Sequence, residues 1–238
     1  MRSESGAAPD PKIPADVATD LETFRSRIQP ALERQAAAVA APPRSATHTL
    51  ELLVRFGLLV HGQAAEQAII AKGDRPHVFT RHVLDSLNPL ALFPKPPESA
   101  LDVGTGAGFP GIPLAVLWPT TRFTLLESRE KKAGFVERAA RELELGNVRV
   151  VCDRLEALGR TWRLEPTGAM FVRAVAGLGT ILRHAAPAAA PGCRWVYFMG
   201  AASDESSIED ELLASGFDSS PAAGAFGGRL LTGTFPPR

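Results

Sequence analysis

A chain of 238 residues, 45% of them hydrophobic, suits one α/β domain with an appendage and excludes a fibrous or wholly disordered protein. Its 26 basic and 26 acidic side chains cancel, so no global field draws it to nucleic acid, and any such binding must rest on a local patch. No apolar run nears the roughly 20 residues of a membrane span, and the N-terminus lacks a charged-then-apolar signal pattern, which reads as a soluble cytoplasmic protein.

Residues 1–18 are rich in Ala, Pro and charge without periodicity and read as a disordered tail. Residues 19–97 read as a helical N-terminal cap. From Thr19 to about Ala41, Leu21, Phe24, Ile28 and Leu32 recur at helical spacing around Pro30, giving one kinked helix or two short ones. A second helical region covers Thr49 to Ala71, with Leu52, Leu53, Phe56, Leu59 and Val60 on its apolar side. A third covers Pro76 to Phe93 and carries the string Arg81-His82-Val83-Leu84-Asp85-Ser86-Leu87 before Pro94, Pro96 and Pro97 end it.

Residues 98–238 open on an apolar lead-in, Ala100, Leu101 and Val103 around Asp102. It runs into Gly104, Thr105, Gly106 and Gly108, then Phe109-Pro110-Gly111. This spells a buried strand, a tight loop and a helix start. Glycines at 104, 106 and 108 allow positive φ and leave no Cβ between the loop and a ligand lying across it. The dinucleotide fingerprint would place its third glycine where Phe109 stands, so another nucleotide-type ligand is expected.

A short helix from Ile112 to Trp118 stops at Pro119, and a strand from Arg122 to Leu126 ends at Glu127. An acid after the second strand of such a unit can accept hydrogen bonds from both hydroxyls of a ribose. Ser128 is expected to cap a helix over Arg129 to Leu145, with Gly146 as its stop. After the strand Val148 to Cys152, Leu155 and Glu156 come where an adenine ring would lie; an unliganded loop is the other reading. A strand from Ala169 to Val172 brings Arg173 to the same crevice, unless Arg173 is a plain surface arginine. A helix from Leu178 to about Ala190, a strand from Cys193 to Met199, a helix from Asp204 to Ser215 and a weak hairpin from Ala225 to Phe235, turning at Gly227-Gly228, complete the chain. Cys152 and Cys193 lack metal or redox spacing and read as buried thiols, and no metal site is expected.

The form Asp102-x-Gly104-x-Gly106-x-Gly108 resembles motif I of the class I S-adenosylmethionine-dependent methyltransferases. Several strings in order are similar to one family within that class, the glucose-inhibited division protein B type of 16S ribosomal RNA guanine-N7 methyltransferase. They are Arg81 to Leu87, Asp102 to Gly111, Leu125 to Ser128 with Lys131 and Lys132 behind, Arg154-Leu155-Glu156, and Arg173 to Ala176, spanning roughly residues 50–200. The resemblance implies an α/β, Rossmann-like seven-stranded sheet with a helical N-terminal extension, and S-adenosyl-L-methionine as cofactor. It implies cofactor contacts at Asp102, Gly104, Thr105, Gly106, Gly108, Phe109, Glu127, Leu155, Glu156 and Arg173. The implied partner is ribosomal RNA or the small ribosomal subunit, with Arg81, Arg129, Lys131 and Lys132 as candidate RNA contacts and a monomer as the working form.

Because guanine N7 carries a free lone pair at neutral pH, the implied reaction needs no general base, and no catalytic residue is assigned. The chain differs from the family pattern at three places. The Asn-Leu-Thr string before Arg81 is absent, Met199 stands where a lysine usually ends the fifth strand, and the basic pair of the last hairpin is reduced to Gly228-Arg229. These changes keep two alternatives open: a same-fold methyltransferase acting on another RNA or a small molecule, and a catalytically silent cofactor-binding paralogue.

Overall fold

The computed structural model describes residues 13–37, 44–64, 69–158, 160, 163–173, 177–200 and 203–236. A seven-stranded sheet carries the fold. Its strands are β1 (Ser99–Val103), β2 (Arg122–Glu127), β3 (Val148–Cys152), β4 (Thr167–Arg173), β5 (Ala189–Phe198), β6 (Ser220–Ala223) and β7 (Arg229–Thr234), in the order β3-β2-β1-β4-β5-β7-β6. The first five pair in parallel and β7 runs antiparallel to both its neighbours. Strand β1 is central, so Ala100, Leu101, Asp102 and Val103 are all buried, as a strand covered on both faces requires. Strand order reverses between β1 and β4, the chain winding outward to β3 on one side and to β5 on the other, which opens a crevice at their carboxyl ends.

Helices α1 (Ala18–Ala37), α2 (Ala46–Leu59), α3 (Gly111–Leu117) and α4 (Glu130–Glu142) share one core on one face of the sheet, through Phe24, Phe56, Val116, Phe135 and Phe171. Helices α5 (Leu178–Ala185) and α6 (Glu205–Ala214) cover the other face around Leu182, Leu212 and Trp195. The N-terminal helices are therefore packed into the sheet's own core. Arginine side chains add polar ties at helix C-termini: Arg44 donates to Val116 O at 2.9 Å and Arg55 to Glu142 O at 2.8 Å. Arg194 donates to Leu92 O, and Arg27 to Phe226 O at 2.6 Å.

Several local expectations change. Around Pro30 the chain forms one helix, not two. The tail expected over residues 1–18 has its first twelve residues outside the described ones, while Val17 is fully buried and Asp16 Oδ2 lies 3.1 Å from His61 Nε2. The helix expected from Pro76 to Phe93 is a succession of 3-10, π and 3-10 turns over Lys72–His77, Phe79–Leu84 and Asp85–Ala91. Two causes are visible. Pro76 and Pro89 remove donors, and His82 O is taken at short range by Asp85 N–H and the Ser86 hydroxyl. Asp20 of α1 caps this segment, accepting from Phe79 N at 2.7 Å and from the Thr80 hydroxyl.

Ser128 does not cap α4; Arg129, still extended and with its N–H held by the Glu127 carboxylate, occupies that position without a side-chain cap bond. The same helix ends at Glu142, and the left-handed residue behind it is Glu144 (φ 54°), not Gly146. Of the two cysteines, Cys193 is buried but Cys152 is exposed, since β3 is an edge strand covered only in part. The final hairpin starts earlier than expected, at Ser220, and turns through Gly224 to Gly228. Asn88 pins that turn, its Oδ1 accepting from Phe226 N at 2.9 Å and Gly228 N at 3.1 Å.

Candidate functional site

The chain leaving β1 turns through Gly104 (φ 73°), Gly106 (φ 61°) and Gly108 (φ 94°), conformations that disfavour any Cβ. Two backbone anchors hold the loop. Leu126 O, at the end of β2, accepts from both Gly104 N and Thr105 N at 2.9 Å, and Thr105 O accepts from Gly108 N and Phe109 N at 2.9 Å. Glu127 supplies the side-chain anchor. Its Oε2 accepts from Gly106 N at 3.0 Å and its Oε1 from Arg129 N at 2.9 Å, so one carboxylate joins the glycine loop to the start of α4. Each of these oxygens keeps a second lone pair.

Gly106 shows what the loop leaves room for. Among the described residues, a Cβ built there would have only Gly104 O near it, at 3.9 Å, whereas at Gly108 it would meet Ile112 Cγ1 at 2.8 Å and Phe56 Cζ at 3.1 Å. Gly108 is therefore small for protein packing, and Gly106 is bare toward open space.

Asp102 lies beneath the loop. It is 0% exposed and its Oδ2 accepts from Gly111 N, at the start of α3, at 2.9 Å. Among the described residues, Asp102 Oδ1 and the buried Thr105 Oγ1 have no protein hydrogen-bond partner. Through its Oδ2, Asp102 fixes the turn from below. Burial pushes its carboxyl up to about 7, against the opposing pull of the Gly111 N–H and Arg173. The folded state holds a proton at Asp102 that the unfolded chain, with its ordinary carboxyl value of 3.8, has lost, so between about pH 4 and pH 7 stability falls as pH rises. Asp102→Asn keeps the acceptor for Gly111 and abolishes this slope. The variant's melting temperature, relative to wild type, is expected to climb from pH 4 to pH 8; a constant difference would contradict it.

Arg173 ends β4 with its guanidinium turned to the N-terminal segment. Nη2 donates to Arg81 O at 2.9 Å and pairs with Asp85 Oδ2 at 2.9 Å; Nη1 lies 3.4 Å from Ser86 Oγ and 3.5 Å from His82 O. The Arg173 Cζ also sits 5.9 Å from the Phe109 ring centre and 5.8 Å from that of Phe198. His82 stacks on Phe109 with ring centres 5.1 Å apart. Burial, then the Arg173 charge, lower its pKa to about 4, so it is neutral at pH 7. Arg173 Nη2 lies 3.4 Å from His82 Nδ1, which assigns the ring proton to Nε2, on the side where Asp74 Oδ2 stands at 3.6 Å.

The structure thus gathers Asp102, Gly104, Thr105, Gly106, Gly108, Phe109 and Glu127 into one cradle and sets Arg173 on its rim through Phe109. Leu155, buried with Leu126 and Val103, stands in the next turn past β3, and Glu156 beside it is exposed. Arg129, Lys131 and Lys132 lie at the start of α4 on the rim next to Glu127. Sequence reasoning missed Asp85, Ser86 and His82 as the grip on Arg173. The signal was an acid and a serine embedded in the apolar run around Val83, Leu84 and Leu87.

A family model described as rRNA small subunit methyltransferase G matches residues 49–216. The chain is 38% identical over 182 residues to "Ribosomal RNA small subunit methyltransferase G" of Solibacter usitatus, covering 76% of this chain and 80% of the relative. The protein of the same name from Novosphingobium aromaticivorans is 36% identical, covering 75% of this chain and 79% of its own length. Among solved structures, a SAM-dependent methyltransferase from Aquifex aeolicus superposes with a TM-score of 0.52 at 15% identity, over 64% of this chain and 92% of that one. Aeropyrum pernix fibrillarin, in complex with natively bound S-adenosyl-L-methionine, gives 0.51 at 14% identity, over 65% and 75%. The structural likeness establishes the class I methyltransferase fold expected from the glycine loop.

Proposed function

We propose, because this chain belongs to the rRNA small subunit methyltransferase G family, that it is an S-adenosyl-L-methionine-dependent methyltransferase acting at N7 of a guanine in 16S ribosomal RNA. One observation carries the cofactor site: a glycine loop bare at Gly106 and fastened to a carboxylate, Glu127, whose remaining lone pairs can accept two ribose hydroxyls. Gly104, Thr105, Gly106 and Phe109 would bear the methionine part, Glu127 the ribose, and Leu155 with the backbone near Glu156 the adenine.

When bound, the cofactor supplies an electrophilic methyl group on a sulfonium. The residues around it are arranged so as not to repel that charge. Arg173 is balanced by Asp85 at 2.9 Å, and His82 is neutral at pH 7. Phe109, Phe198 and His82 form an apolar and aromatic rim that can exclude water and orient a purine, and N7 needs no base to remove a proton. Arg129, Lys131 and Lys132 sit in the first turn of α4, where the helix dipole opposes cations; that placement suits a phosphate ligand better than it suits helix stability.

Support for a monomer comes from the surface, where among the described residues the exposed large apolar side chains are Ile13 and Leu213. No helix of the described residues is long and apolar enough to cross a membrane. A second reading, the same chemistry on another RNA or a small molecule, is favoured by Met199, which packs against the core, and by Arg229, held by Glu205 at 2.8 Å. Mass analysis of 16S RNA from cells with and without the gene separates the two: loss of one N7-methylguanine is expected in the deletion strain. An unchanged profile, with transfer to another substrate pool, would favour the second reading; cofactor binding without any transfer would indicate a silent paralogue.

A further inference from the structure

We propose that the exposed face of the turn Lys72–His77, continued by Arg81, is the surface on which RNA phosphates dock as the target base enters the crevice; this rests on the RNA methyltransferase reading above. Lys72, Arg75, His77 and Arg81 are all exposed along this segment. Its acid, Asp74, reaches to the far end of the run, with Oδ1 3.4 Å from Arg81 Nη1 and Oδ2 3.6 Å from His82 Nε2, so it pairs with Arg81 and leaves Lys72 and Arg75 to solvent. The neighbouring acid Asp16 is bonded to His61, and feels the Arg75 charge through space without forming an ion pair with it. Among the described residues no acid lies within ion-pair distance of Lys72 or Arg75.

The position is as telling as the charge. Arg81 O is held by Arg173 and the next residue, His82, stacks on Phe109, so the turn forms the lip of the crevice. On a chain with zero formal charge, a run of exposed cations whose one acid is engaged at its Arg81 end is a local electrostatic feature. Helix α4 is different: Glu130, Glu137 and Glu142 interleave with its basic residues. Pro76 stiffens the turn, which lowers the ordering cost of presenting long side chains to a backbone. Lysine and arginine in such a ridge position the RNA and carry no base specificity.

The test uses the full chain carrying Lys72→Ala with Arg75→Ala. Binding of 16S RNA is followed from about 50 to 200 mM salt, where each lost phosphate contact lowers the slope of log affinity against log salt by about 0.7 to 0.9. The double variant is expected to bind at least about tenfold more weakly at the lower salt, with a slope reduced by about 1.5. Its affinity for S-adenosylhomocysteine is expected to stay at the wild-type value, showing an intact fold. A charge-matched control, Arg122→Ala with Arg149→Ala on β2 and β3, should leave the salt slope at the wild-type value. An unchanged slope in the Lys72 and Arg75 variant, or an equal loss in the control, overturns the proposal. Wild-type protein that binds RNA with this dependence but transfers no methyl group supports the docking surface and sinks the enzymatic reading. Methyl transfer with an unaltered KM in the variant does the reverse.

Discussion

Replacing Gly106 with Val is expected to weaken S-adenosylmethionine binding by at least about 100-fold in calorimetry, while the protein still folds. The isopropyl group would stand in the open space over the loop, where among the described residues no atom but Gly104 O comes within 4 Å of a Cβ. The cost to the protein itself is backbone strain: φ is 61°, and a β-branched residue held in the left-handed region loses on the order of 1–2 kcal/mol, a few degrees of melting temperature. The effect on a ligand is far larger, since two to three carbon atoms cannot share space with a nucleoside lying on the peptide. Gly106→Ala separates the two contributions, having nearly the same strain with one methyl in the way. Affinity retained within tenfold in the valine variant would move the site elsewhere.

Glu127→Ala has the second large effect. The carboxylate holds the Gly106 and Arg129 N–H groups at 3.0 and 2.9 Å and is 6% exposed, so its removal strands two donors and frees the loop from α4. Hydrogen bonds to a charged group contribute about 1.5–3 kcal/mol each, and the variant loses those to the loop along with any to the ribose. The cofactor Kd is expected to rise by about 100-fold or more, with kcat/KM for methyl transfer falling at least as far. Glu127→Gln should lie between, because an amide oxygen still accepts while its NH2 opposes a second N–H donor. A Glu127→Ala protein with wild-type affinity would show that this carboxylate only braces the loop.

The cradle was legible in the sequence because its parts are local. Alternating glycines after an apolar strand and an acid closing the next strand lie within 26 residues, from Asp102 to Glu127, and each follows from backbone conformation or strand polarity. Less visible were contacts between distant segments. Asp85 and Arg173 are 88 positions apart, and nothing in either neighbourhood announces the partner. The same ties explain the misread region from Pro76 to Phe93: once Arg173 and Ser86 engage the Arg81 and His82 carbonyls, the segment departs from the regular helix its apolar spacing favours. Ser128 is not the cap for a related reason: Glu127, from the strand before it, holds the Arg129 N–H while Arg129 is still extended, so the helix begins one residue later. The sequence places Asp102 beside the glycines but does not announce its partner: alternation along β1 turns its Oδ2 under the loop, to Gly111 N.

The most direct measurement is a crystal structure of the chain soaked with S-adenosylhomocysteine. The expected density places the two ribose hydroxyls on the Glu127 oxygens and the amino acid part against the bare backbone at Gly104 to Gly106. Density in another cleft, or a sugar that makes no contact with Glu127, would contradict the site.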